Sequence, residues 1–319
     1  MAPPPPSRTD RGKTLNLVFV HQPSKLSSAD IDAISARISR IAPEIKVFGV
    51  LPSQDAQIIS AHDWLRPTLT VSFGSVRRFI PPRGPVYENR FVSKLEQFRR
   101  FRAIGIETPH TEPFRHGMAL DPEQWGPFVI MKPSDPDLTS NGRYLQVFRT
   151  ASLSERSLPA AHPSRHLLML LQQWIDSGEN LTSYRCLTLF GAVLLGSISR
   201  SPSQRPSLDA SDAVIEAMTA ESDRGHNKKC DDPEIMAFAS RMAEAFPRHP
   251  ILGCDIIREA GTGRLYAIEV NAGGNVWHFS SPRTAPWRTH DNTEKLKRHF
   301  SSFDVAAEVL VKKTRAEAR

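Results

Sequence analysis

The stretch from Ile251 to Gly274, ILGCDIIREAGTGRLYAIEVNAGG, constrains this chain more than any other. Two short apolar runs rich in β-branched residues, ILGCDII and LYAIEV, flank EAGTGR, whose glycines mark a turn. The pattern predicts a β-hairpin with a loop longer than the minimum. Folded about Thr262, it sets Asp255 opposite Glu269. Asn271 follows two residues later and shares the face of Glu269, because strand side chains alternate. Two opposed carboxylates repel and weaken a sheet. A hard cation between them reverses that sign, and Mg²⁺ is commonly held by one or two carboxylates together with substrate phosphates. Asp255, Glu269 and the amide oxygen of Asn271 are therefore the candidate metal ligands. The ordinary alternative is a solvent-facing strand whose acids serve solubility. It suits an isolated acid better than three oxygen side chains inside apolar runs.

A chain of 319 residues holds two or three lobes and an ample core. No apolar run approaches the roughly 18 residues that span a bilayer. The opening MAPPPPSRTDRGK lacks the apolar centre of a signal peptide and reads as a disordered Pro-rich arm over residues 1–12. Cys186, Cys230 and Cys254 are widely spaced, with no CxxC pair, which fits reduced thiols in the cytoplasm. The net charge of +7 is dispersed rather than massed, so nucleic acid ranks low as a partner and no membrane is expected. The cations suit an enzyme that handles phosphates and carboxylates.

Strand-like LNLVFV, KVFGVL and LTVSF alternate with helical patterns, among them SSADIDAISARISRIA with Ser28 as N-cap. Residues 13–90 are thus expected to form a small α/β lobe with a largely parallel sheet. It has no GxGxxG after its first strand, and no GxxxxGK occurs anywhere, which excludes a Rossmann or P-loop reading. A helix is expected from about Phe91 to Ala103, with Lys94 in its first turn, Val92, Leu95, Phe98 and Phe101 inward, and Gly105 as C-cap. In GPFVIMKPSD, Phe128, Ile130 and Lys132 share a strand face, and the ammonium must find an anion or water. A polar loop with Gly142 follows, and such a loop either closes over phosphates or simply turns.

HLLMLLQQWID is a buried run, and SYRCLTLFGAVLLGSISR reads as two strands joined at Phe190-Gly191-Ala192. Antiparallel pairing is expected to bring Arg185 and Arg200 near each other, for a phosphate, a carboxylate or a plain salt bridge. His226 and Cys230 make only a lone HxxxC, too weak for a metal pair. Asp232 and Pro233 open an amphipathic helix, Trp277 and Phe279 read as core, and a final helix starts near Ser302.

The ordered series SK…GIETP, FVIMKPS, LLQQWID and LGCDII…YAIEVN resembles the ATP-grasp superfamily over roughly Tyr87 to Gly274. It is nearest in style to ribosomal-protein S6 glutamate ligase-like and D-alanine–D-alanine ligase-like members. The resemblance implies an α/β (α+β) fold in which a small N-terminal lobe precedes two α+β lobes that clasp ATP. The lobes would be 91–175, with the linker helix, and 176–319, with the metal site. It implies that Lys94 and Lys132 contact phosphates, that Gln172 to Ile175 form the hinge, and that Trp174 and Ile175 offer backbone groups to adenine. Gly142 would lie in the phosphate-covering loop and Glu179 at the ribose. Arg185 and Arg200 would serve the transferring phosphate and the acyl intermediate, with Asp255, Glu269 and Asn271 on Mg²⁺ or Mn²⁺.

The implied activity is ADP-forming ligation of a carboxylate to an amine, on small-molecule or peptide substrates, with a homodimer left open. A nucleotide-binding module without ligation is the alternative. Three departures stand out: Gln173 where many members have Glu, few glycines around Gly142, and AGGNVWHF after Asn271. The last lies where acceptors bind, so the substrate class does not transfer.

Overall fold

The computed structural model describes residues 14–74, 76, 78–134, 145–153, 158, 162–204, 214–215, 228–272, 276–281 and 290–319. The first sheet is built by β1 (Leu15–Val20), β2 (Ile45–Val50), β3 (Thr68–Ser72) and β4 (Val86–Glu88) in the order β2-β1-β3-β4, all parallel. Between them lie α1 (Ser28–Ile41) and the single turn α2 (Ala61–Trp64). Ile31, Ile34 and Ile38 of α1 are buried, as their spacing demands. The N-cap of α1 is Ser27 rather than Ser28: its hydroxyl accepts from the N–H of Asp30 at 3.2 Å.

Two antiparallel sheets follow. One contains β5 (Thr111–Pro113), β6 (Phe128–Pro133), β7 (Gln146–Arg149), β8 (Met169–Gln173) and β11 (Val214–Ile215), in the order β11-β7-β6-β8-β5. The other contains β9 (Asn180–Leu189), β10 (Ala192–Gln204), β12 (Lys228–Lys229), β13 (Ile251–Arg258) and β14 (Leu265–Ala272), in the order β12-β10-β9-β13-β14. The tight β9–β10 turn places Phe190 and Gly191 at φ of 47° and 85°, the geometry of a two-residue hairpin.

The helices join these layers. α3 (Lys94–Ala103) packs beside β14, and α4 (Pro122–Trp125) against β6. α5 (Pro233–Glu244) covers β9, β10 and β13. The sequence places the start of α3 near Phe91, but Ser93 caps it and Phe91 stays 65% exposed. The periodic reading takes Leu95 as inward; the buried stripe instead includes Lys94 and Gln97 beside Phe98 and Phe101.

After α6 (His290–His299), α7 (Ser302–Glu317) packs on β10 of the third sheet and on α1. One core cluster therefore spans Phe19 and Val71 of the first sheet, Leu187 and Leu195 of the third, and Phe303, Ala306 and Leu310 of α7. Trp277 lies fully buried in it and donates its indole N–H to Asp30 at 2.8 Å, which makes it core. Among the described residues, no helix is long and apolar enough to cross a membrane.

Candidate active site

The two faces of the third sheet differ in chemistry. On one, Cys186, Leu252, Cys254, Ile256, Ala267 and Val270 pack with α3 and α5. On the other lie Arg185, Asp255, Glu269 and Asn271. Asp255 pairs with Glu269 and Gly253 with Asn271. A register shift follows: Ile256 pairs with Ala267, which leaves Ile268 as the extra residue of a β-bulge. Leu265 and Ala267 are buried, and so is Val270, three positions further on. Unbroken alternation would put Glu269 on the face of Leu265 and Ala267, inside apolar packing. The bulge moves it to the polar face.

There the side chains form a continuous network. Arg185 stands opposite Asp255 on β13 and Ser197 on β10. Its Nε donates to Asp255 Oδ1 at 2.6 Å and its Nη2 to Oδ2 at 2.8 Å, a bidentate fork. The Asn271 amide nitrogen donates to Asp255 Oδ2 at 2.9 Å and to Glu269 Oε1 at 3.3 Å. Lys94, buried at the first turn of α3, places Nζ 3.2 Å from Glu269 Oε2. Gln97, one turn along, fixes α3 there: it accepts from the N–H of Val270 at 2.8 Å and donates to its carbonyl at 3.1 Å. This caps the edge of β14 as a further strand would.

Lys132 arrives from the second sheet. It is buried, donates to Gln172 Oε1 at 2.7 Å and lies 5.8 Å from the Phe98 ring centroid. Burial, and next the Lys94 charge, push its ammonium down to about 7, while Glu269 and Asp255 partly oppose the shift. Burial alone would raise Glu269, but the charges of Lys94, Lys132 and Arg185 outweigh it and hold the carboxyl well below its usual range. The two lysines thus approach the carboxylates from different elements, Lys94 from α3 and Lys132 from the second sheet. Among the described residues no group of three or more His, Cys, Asp or Glu is arranged to hold a metal ion by itself. The donor set is two carboxylates and one amide, an all-oxygen set that fits a hard divalent cation once Asn271 turns its oxygen inward.

Other expected residues fall differently. Arg200 pairs with Thr182, three positions beyond Ser197, and is exposed. An odd separation on a period-two strand sends its side chain to the opposite face from Arg185, so the expected convergence of the two arginines does not occur. At the hinge, Gln172 is buried and donates to Thr111 at 3.0 Å, a partner that nothing in the sequence signals. The Trp174 N–H is not available to adenine, because it donates to the Phe128 carbonyl at 3.0 Å and extends the β6–β8 ladder. The carbonyl of Trp174 and the N–H of Ile175 have no backbone partner among the described residues. Glu179 is exposed in the turn before β9. Gly142 and His226 lie outside the described residues.

All three cysteines are free and buried beneath the site, with Cys186 opposite Cys254. Burial raises each thiol, that of Cys186 to about 12, so they are poor nucleophiles.

No protein-family model matches this sequence, and no curated protein does. Solved structures do. A Chryseobacterium gregarium RiPP-associated ATP-grasp ligase in complex with ADP and a leader and core peptide aligns with 94% of this chain and 97% of its own, at a TM-score of 0.51 and 13% identity. A D-cycloserine synthetase covers 92% of this chain and 99% of its own, with a TM-score of 0.48 and 14% identity. The D-alanine–D-alanine ligase of Bacillus anthracis covers 95% and 100%, with a TM-score of 0.47 and 12% identity. The first likeness shows the fold, which is ATP-grasp; identities this low reach no further.

Proposed function

We propose that the chain is a cytoplasmic, ADP-forming carboxylate–amine ligase. The reading rests on one observation: Lys94 of α3 pairs with Glu269 and Arg185 with Asp255 on one side of the third sheet, Asn271 bridges the two acids, and Lys132 of the second sheet lies within reach of their charge. Three cations facing two acids suit a polyphosphate that carries its own divalent metal. Asp255, Glu269 and Asn271 would hold Mg²⁺ or Mn²⁺, which supplies charge neutralisation at the phosphates when bound.

The side chains then have separable tasks. Lys132, oriented by Gln172, and Lys94 bind phosphate oxygens, and their charge offsets what develops during transfer. The Trp174 carbonyl and the Ile175 N–H would offer an acceptor and a donor to adenine, and Glu179 would bind the ribose. Arg185 would serve the transferring phosphate; Arg200, on the far face, has no part in the step.

A substrate carboxylate oxygen attacks the γ-phosphorus, ADP departs, and an acylphosphate forms. An amine then attacks the acyl carbon, and inorganic phosphate leaves as the C–N bond closes. No protein nucleophile is required, consistent with the raised thiols. The complex of the Chryseobacterium ligase with peptide makes peptide carboxylates and amines the first class to try.

ADP release should be assayed with Mg²⁺–ATP and pools of amino acids and peptides, with mass spectrometry of the product. ADP formed only with an added carboxylate and amine supports ligation. ADP that binds but is never produced favours the nucleotide-binding module.

A further inference from the structure

We infer that Arg185 is a counter-ion lock on the metal seat, which keeps a divalent cation out until nucleotide phosphates arrive with it. The inference rests on the metal reading of Asp255, Glu269 and Asn271 and adds an order of events to it.

The seat is compensated from within. Arg185 occupies both oxygens of Asp255, at 2.6 and 2.8 Å, with the strongest geometry a carboxylate can accept. The amide nitrogen of Asn271 turns toward both carboxylates, at 2.9 and 3.3 Å, where a cation would need its oxygen. Lys94 sits on the remaining carboxylate at 3.2 Å. Among the described residues, two acids thus face the two cations Arg185 and Lys94, with Lys132 as a third close by. A lone cation gains little from entering such a neutralised site. It must break the bidentate pair on Asp255 and turn an amide.

A polyphosphate changes the sign of each term. Its oxygens offer Lys94, Lys132 and Arg185 new partners, which releases Asp255. The cation it brings replaces the charge that Arg185 withdraws. Metal and nucleotide are then coupled, each raising the affinity of the other by the same factor. The competing explanation is a plain staple between β9 and β13. Loss of a staple lowers stability, but it gives metal no reason to bind better.

The test is Mn²⁺ binding, followed by electron paramagnetic resonance, on the intact chain as wild type, Arg185→Gln and Arg185→Lys without nucleotide. Removal of a unit charge this close to the seat should tighten Mn²⁺ binding by about tenfold or more. Arg185→Lys, with one ammonium in place of a fork, should fall between wild type and Arg185→Gln. Equal or weaker Mn²⁺ binding in Arg185→Gln overturns the lock. If that variant does not fold, Arg185→Lys carries the same comparison: tighter binding than wild type supports the lock, and unchanged binding overturns it. The double variant Arg185→Gln, Glu269→Gln separates the two readings: if it holds Mn²⁺ as tightly as Arg185→Gln, the seat itself is misassigned.

Discussion

The two faces of the β9–β13–β14 sheet use the same strands for opposite purposes. Cys186 and Arg185 are neighbours, as are Cys254 and Asp255, yet each pair divides between an apolar face and a charged one. Ile256 and Cys254 are shielded by α5, while Asp255 faces Arg185 and Asn271. The difference teaches that rigidity and charge can be supplied residue by residue in one strand. The apolar face fixes the backbone, and the opposite face can then hold like-charged groups close together without the sheet giving way. α3 serves both: Phe98 joins the apolar cluster and Lys94 the polar network.

Substitutions can break this division, and their effects should differ in kind as well as size. Glu269→Gln removes a charge from the polar face at constant shape. Metal-dependent ATP turnover is expected to fall by about a thousandfold, while circular dichroism shows the fold retained. Turnover kept at the wild-type level would remove Glu269 from the site. Ile256→Ala on the other face should do the reverse, with a loss of about 2–4 kcal/mol in urea unfolding and unchanged ADP affinity of the folded protein. A large loss of ADP affinity there would show that the faces are not independent.

Gln97→Ala acts where the faces meet. It strands the N–H and carbonyl of Val270 at the strand edge, and a cost of about 1–3 kcal/mol is expected. A smaller weakening of ADP should accompany it as Lys94 loses its alignment. An unchanged unfolding midpoint would show that Gln97 does not fix α3.

The smallest and most specific effect concerns Lys132. Its folded pKa, about 7, lies below the ordinary lysine value. The unfolded chain therefore binds more protons from about pH 7 upward to that value, and stability rises with pH across this window. Phosphate restores the charge, so ADP binding at pH 8 should take up close to one proton. Calorimetry in buffers of different ionisation enthalpy reads this directly. Lys132→Met should abolish both the uptake and the stability slope, and uptake that persists in the variant would assign the proton elsewhere.

Much of the fold was legible from periodicity. The α/β alternation of the first lobe, the β9–β10 turn, the hairpin and the Asp232–Pro233 helix start all follow from local pattern. The pairing of Asp255 with Glu269 was legible too, although by a route that the fold alters. The register nearest the turn pairs Ile256 with Ala267, and only the bulge at Ile268 brings Glu269 opposite Asp255. Gln97 and Thr111 carried no signal, because a polar residue looks the same whether it meets water or a strand edge. Arg200 lies across the hairpin from the strand of Arg185, but its odd offset from Ser197 turns its side chain to the opposite face. The start of α3 was missed because Val92 continues the apolar spacing, whereas Ser93 ends it with a hydrogen bond to Glu96.

The sequence by itself determined which chemistry this protein carries: two acids and an amide in one hairpin, two lysines and an arginine ahead of them, and the order that makes the ATP-grasp series recognisable. Tertiary structure alone decided which of those groups meet. Side-chain alternation is a local rule and can be read along a strand. The bulge that reverses it, the strand that sets Arg185 on Asp255 and the helix that carries Lys94 to Glu269 are settled by packing between segments far apart in the chain.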